Sequence, residues 1–185
     1  MMWEMLVTSM PRPTTSVATS NRTLPSRNSR ITRSRVVCGR SPWIAAAVAK
    51  YPQFEVIVTP YSAGSKEKPV GSMFDALRKH DVGLIGIKPF ASGTIFKSGG
   101  TPDSTTKQED DDRARLAIRY VLSCDVVHCT IPGLITVDQV NNAVAAVKER
   151  RQFDLAETQR LEQMVQQMWA NLPHTYQWLR DWEWV

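Results

Sequence analysis

Between about Phe54 and Val147 the chain alternates short apolar runs, each closing on an X-Pro corner, with stretches of helical periodicity. The runs are Phe54-Glu-Val-Ile-Val-Thr-Pro-Tyr61, Val82-Gly-Leu-Ile-Gly-Ile-Lys-Pro-Phe90 and Val126-Val-His-Cys-Thr-Ile-Pro-Gly133. Near-continuous β-branched runs separated by amphipathic segments are the signature of buried parallel strands joined by helices. The pattern therefore predicts about three parallel strands in an α/β fold, whose ligand sites lie where the strands end.

The helical segments carry their own start signals. Ser41-Pro-Trp-Ile places a capping serine before a first-turn proline and predicts a helix to about Lys50. Met73, Phe74 and Leu77 mark a short helix after Gly71-Ser72. The stretch from Ser92 to Lys107, with Gly93, Gly99, Gly100 and Pro102, reads as a long loop at the end of the second strand, where ligand contacts gather. The next helix opens on Glu109-Asp-Asp-Asp112 and is expected to bury Leu116, Ala117, Tyr120 and Val121. Its acidic run either complements the helix dipole or holds a cation, and the dipole reading is favoured because nothing nearby completes a coordination shell. Thr136-Val-Asp-Gln139 has capping-box spacing and predicts a helix burying Val140, Ala143, Val144 and Val147. A last helix starts at Asp154-Leu-Ala-Glu157, and its stripe of Leu161, Met164, Val165 and Met168 reads as core.

Charge changes the picture at the N-terminus only. Residues 1–40 hold seven arginines and a single acid, Glu4, so they carry +6 and leave −1 on the remainder. That stretch is rich in Ser, Thr, Arg and Pro and has neither periodicity, so it is expected to be a disordered leader. A targeting segment, or a leader without function created by a wrong start or a shifted frame, are both open, and the absence of aromatics among the arginines argues against nucleic-acid binding. No apolar run is long enough to span a bilayer, and the expectation is a cytoplasmic protein with no membrane partner. Cys38, Cys124 and Cys129 form no CxxC pair and are expected to be free thiols, with Cys124 and Cys129 packed in the core; no metal site is assigned. Residues 169–184 hold four of the six tryptophans, a density that packs against something or covers a pocket. His174 and Tyr176 in this tail are acid/base candidates without a partner carboxylate at a suggestive spacing, and His80 and His128 read as structural.

The chain has no GxGxxG after a strand, no P-loop, no HExxH and no GxSxG. Lys88 closes an otherwise apolar strand and is followed by Pro89-Phe90-Ala-Ser-Gly93, where it either contacts a phosphate or is a solvated rim lysine.

Gly83-Leu-Ile-Gly-Ile-Lys-Pro-Phe90, Leu116-Ala-Ile-Arg-Tyr-Val-Leu122 and Cys129-Thr-Ile-Pro-Gly133 followed by Asp138-Gln-Val resemble the C-terminal half of aldo/keto reductases. The resemblance spans roughly 41–147, and the tail is similar to one bacterial branch of that family. It implies a partial (β/α)8 TIM-type barrel over residues 41–185 in which the three runs stand as the sixth, seventh and eighth strands. It also implies NAD(P)H as cofactor and carbonyl reduction as the activity.

By the same resemblance Lys88, Pro89, Phe90 and Gly93 wrap the pyrophosphate. Ile87 stands where many members stack an aromatic on the nicotinamide, and Val58 where they hold the carboxamide with Gln. Gly133 begins the adenosine end. Gln139 aligns with the arginine that binds the 2′-phosphate, and Asn142 and Ala143 with the adenine-side Glu-Asn pair, so no strong NADP preference is expected. The family's catalytic Asp, Tyr, Lys and His come from its first four strands, where this chain has the arginine-rich leader, so no catalytic residue is assigned. The expectation is a reductase fragment, inactive in isolation. The alternative is a noncatalytic half-barrel that self-associates or takes an N-terminal partner.

Overall fold

The computed structural model describes residues 35–38 and 41–185. Apart from its last strand-forming residues, the expected leader lies outside the described residues. Four parallel strands form one sheet in sequential order: β1 (Arg35–Cys38), β2 (Phe54–Pro60), β3 (Gly83–Ile87) and β4 (Val127–Ile131). The last three are the predicted runs. The first is a correction, because it falls in the stretch read as leader: Val36-Val37-Cys38 aligns with Val56-Ile57-Val58 along the exposed edge of β2. Three apolar residues between arginines are too short a run to stand out in a sequence, but a parallel neighbour supplies their hydrogen-bond ladder.

Helices α1 (Ser41–Lys50), α2 (Met73–His80) and α3 (Lys107–Ser123) connect the strands, and α4 (Val137–Lys148) and α5 (Leu155–Ala170) follow β4. The predicted pairs Thr136 with Gln139 and Asp154 with Glu157 each form a reciprocal capping box, and Ser72 with Asp75 forms another, which satisfies N–H groups that an α-helix otherwise leaves open.

Helices α1, α2 and α3 pack on one face of the sheet. Side chains alternate along each strand, so Ile57, Thr59, Leu84 and Gly86 point into the helical layer and are buried, while Val56, Val58, Ile85 and Ile87 face the other way and are half-buried. Ile44 and Val48 of α1, Met73, Phe74 and Leu77 of α2, and Val121 of α3 fill that layer. A second cluster joins Leu116, Ala117 and Ile118 of α3 to Leu161, Met164 and Met168 of α5. Arg119 locks the two helices: it donates to Glu157 (2.7 and 3.2 Å) and to the carbonyls of Arg150 (2.8 Å) and Gln152 (2.9 Å).

The tryptophan tail is packing. Its 3-10 segment His174–Trp182 leads to a chain end whose Lys66 N–H to Glu183 carbonyl (2.6 Å) and Val185 N–H to Lys66 carbonyl (2.9 Å) bonds tie it to the loop after β2. Trp182 and Val185 enter the core beside α1 and α2, and Trp169 is buried against Gly64.

Two burial expectations fail, for one reason. On α4 only Ala146 is buried, and Val140, Val144 and Val147 are 46%, 45% and 61% exposed. Cys129 is exposed rather than packed. Both belong to the end of the sheet: α4 packs chiefly against α3, and among the described residues β4 pairs with β3 alone.

Candidate functional site

The C-terminal ends of β3 and β4 open into a cavity of about 580 Å³, within the size range of small-molecule and cofactor sites. It is floored by α3, walled by the start of α4 and roofed by the loop from Thr94 to Thr106. Ile87, Lys88, Pro89, Phe90, Gly93, Gly133, Gln139 and Asn142 all line it. The residues singled out from sequence are thus brought to one place, although they lie on three separate segments.

The turn leaving β3 is strained. Lys88, Ala91 and Ser92 hold φ of 59°, 45° and 61°, and Gly93 follows at 86°. Each non-glycine residue in that region costs on the order of 1 kcal/mol, and such outliers persist where a functional geometry demands them. The turn is closed by Ala91 N–H to the Lys88 carbonyl and Gly93 N–H to the Phe90 carbonyl, both 2.9 Å. Its effect is to send the Lys88 side chain along the cavity rim, where Nζ lies 3.4 Å from the Ser92 hydroxyl and 5.4 Å from the centre of the Tyr176 ring. No carboxylate neutralises it among the described residues. Tyr176 is thereby the tail's one link to this site, and His174 is exposed.

The roof depends on one carboxylate. Asp110, 4% exposed, accepts from the Lys97 backbone N–H (2.7 Å), the Ser98 hydroxyl (3.2 Å) and the Thr106 hydroxyl (3.3 Å). The acidic run therefore divides its work. Glu109 pairs with Lys97 and Arg113, Asp111 with Lys107 and Asp112 with Arg115. Helix-dipole complementarity accounts for the position of the run but not for Asp110, whose role needed the folded loop to be seen. Phe96 packs on Phe90 with ring centroids 5.0 Å apart and presses against Gly100, at φ 69°, where a Cβ would stand 2.6 Å from its ring. Gly99, Gly100 and Pro102 marked this stretch as loop, but no sequence signal pointed to Phe96 as its anchor.

Gln139 and Asn142 reach the wall with their polar groups already engaged. The Gln139 carbonyl accepts from the N–H groups of Ile135 (2.8 Å) and Thr136 (3.3 Å), and its amide donates to the Gly100 carbonyl (3.2 Å), joining α4 to the roof. Asn142 accepts from Arg115 (3.0 Å) and donates to the Asp111 carbonyl (2.8 Å). The capping box that starts α4 is what takes Gln139. Of the two lysines on the cavity, Lys107 is held by Asp111 at 2.6 Å, and this bond raises its pKa. Lys88 is the one whose charge faces the space uncompensated.

The parallel strands and their connecting helices match the fold of solved barrel structures. The chain superimposes on the aldo-keto reductase AKR11C1 from Bacillus halodurans in its holo form with a TM-score of 0.52 and 21% identity, over 71% of this chain and 50% of that one. For the apo form the values are 0.50 and 20%, over 69% and 49%. The fold is that of half an aldo-keto reductase barrel. The chain spans about half the length of those reductases. No protein-family model and no curated protein matches the sequence. Among the described residues no helix is long and apolar enough to cross a membrane.

Proposed function

We propose that this cavity is the nicotinamide-dinucleotide site of an aldo/keto reductase-type oxidoreductase, in which this chain supplies the cofactor-binding half. The observation that carries the reading is Lys88: a cation without an acidic partner among the described residues, held by a strained turn at the rim of a cavity at the strand ends. A pyrophosphate is the group such a lysine suits. Gly93 and Gly133 leave room for a ligand's backbone approach, since a Cβ at Gly133 would meet nothing within 4 Å. Ile87, Phe90 and Leu134 supply apolar wall for the rings. When bound, the dinucleotide supplies a hydride to a carbonyl carbon. The chain's part is to bind, orient and exclude water; by resemblance, the proton donor belongs to strands other than those described, and the chain alone turns nothing over.

The wall formed by α3 and α4 favours a dinucleotide without a 2′-phosphate. Asp138 lies there, Gln139 stands where the resemblance expects a cation, and Lys107 and Asp111 neutralise each other. Titration of the chain with NADH and NADPH, followed by nicotinamide fluorescence, should give tighter binding of NADH by about tenfold, the effect of roughly 1.4 kcal/mol of charge repulsion. Failure of both to bind sinks the dinucleotide reading, and tighter NADPH binding sinks the assignment of the α4 end. The exposed stripe of α4 favours a second reading beside this one, a half-barrel completed by self-association or by an N-terminal partner chain.

A further inference from the structure

The cation at the cavity rim is held from behind by the tryptophan tail. Lys88 is half-buried, and its ammonium lies 3.4 Å from the Ser92 hydroxyl and 5.4 Å from the centre of the Tyr176 ring. Tyr176 stands outside the cavity lining, so it acts on the cavity through the lysine. Both neighbours are neutral, and that decides what they do. A carboxylate would fix the ammonium and cancel its charge, as Asp111 does to Lys107 on the same cavity at 2.6 Å. An aromatic ring attracts a cation through its quadrupole and leaves the unit charge in place. Lys88 is thus oriented without being neutralised, the state in which a lysine receives a phosphate.

Tyr176 is in turn rigidly mounted. Within the 3-10 segment His174–Trp182 its N–H donates to the Pro173 carbonyl (2.8 Å), and the Gln177 amide donates to the Leu172 carbonyl (2.6 Å). Leu172 and Leu179, 5% and 3% exposed, pin the chain to the core on either side of it. The Tyr176 ring packs against that same cluster, which also contains Phe90 and Ala91 of the strained turn. The left-handed backbone of Lys88, φ 59°, fixes where the side chain starts, and the ring fixes where it ends. We propose that Tyr176 is a positioning residue for Lys88, holding the ammonium at the rim so that a ligand's pyrophosphate meets an oriented, uncompensated charge. The inference rests on the reading of this cavity as the dinucleotide site. Ordering a flexible side chain at the moment of binding costs affinity, and a lysine already ordered by the fold does not incur that cost. The tail, remote in sequence from the turn after β3, thereby sets how well that turn binds an anion.

The test uses the full 185-residue chain and two probes, inorganic pyrophosphate by calorimetry and NADH by nicotinamide fluorescence. Tyr176→Leu should raise the Kd for both by about fivefold, and Tyr176→Phe, which keeps the ring, should restore it. In a Lys88→Met background Tyr176→Leu should change neither Kd, because the ring acts only through the ammonium. Reductive methylation with isotope-labelled formaldehyde keeps the charge of each lysine and supplies a readout without ligand. The Lys88 methyl resonance, identified by its loss in Lys88→Arg, should be shifted upfield by the ring current and should return to the free-lysine position in Tyr176→Leu. Circular dichroism checks folding, and Tyr176→Met replaces a leucine variant that does not fold. Unchanged affinity in Tyr176→Leu, or an equal loss in the Lys88→Met background, overturns the positioning role and leaves the dinucleotide reading standing. Pyrophosphate binding that depends on Tyr176, in a chain that does not bind NADH, sinks the dinucleotide reading and upholds the positioning role. Binding of neither probe overturns both.

Discussion

Replacing Gly100 by alanine should release the roof of the cavity, whereas the same change one residue earlier should only strain it. Gly99 and Gly100 both have left-handed backbone, φ 80° and 69°, so alanine at either costs about 1 kcal/mol of backbone strain. Their surroundings differ. A Cβ at Gly99 meets nothing within 4 Å, while one at Gly100 falls 2.6, 2.8 and 3.1 Å from ring carbons of Phe96. Phe96 must then move, and it is the ring that packs on Phe90 at 5.0 Å. Forced repacking of this kind costs about 1–3 kcal/mol beyond the strain. The amide of Lys97, bonded to Asp110 at 2.7 Å, reports roof opening by hydrogen exchange. Gly99→Ala should accelerate its exchange by about fivefold, and Gly100→Ala by roughly 30-fold to 1,000-fold, at tenfold per 1.4 kcal/mol. Equal acceleration in the two variants would refute the argument, because it would mean that Phe96 does not hold the roof.

Two further predictions concern the lock between α3 and α5 and its titration. Arg119→Ala removes a guanidinium that is 4% exposed and leaves the carbonyls of Arg150 and Gln152 without this donor, while Arg150 still holds Glu157 at 3.0 Å; urea unfolding should show a loss of about 2–3 kcal/mol, and a loss below about 1 kcal/mol would contradict it. Hydrogen bonds from Arg119 hold the Glu157 carboxyl below its ordinary 4.5, and those from Arg78 hold Glu67 below 4.5 and Asp125 below 3.8. Carboxyls depressed on folding contribute stability that is complete above those ordinary values and is lost as pH falls below them. The urea midpoint should therefore fall as the solution is acidified from about pH 5 to pH 3, and the fall should be shallower in Arg119→Ala; a midpoint flat over that interval would contradict the pairing.

What the sequence determined by itself was local. Apolar runs with X-Pro corners located β2, β3 and β4, and the pairs Thr136/Gln139 and Asp154/Glu157 started α4 and α5 as capping boxes, because a strand's burial and a helix's first turn depend on neighbours a few residues away. The eight candidate residues, taken from the family resemblance, line one cavity: six lie at or after strand ends, which converge in a parallel sheet, and Gln139 and Asn142 lie on α4. Three matters were decided only by tertiary structure. The strand Arg35–Cys38 exists through the edge of β2, a partner that its own four residues do not announce. The valines of α4 read as core because periodicity shows that a face is apolar; it does not show whether another element covers it. Asp110, read as part of a charged first turn, is buried because a loop reaches back over it from Lys97. Periodicity and caps report on contacts close in sequence, whereas burial, edges and anchors are made by segments far apart, and those only the folded chain brings together.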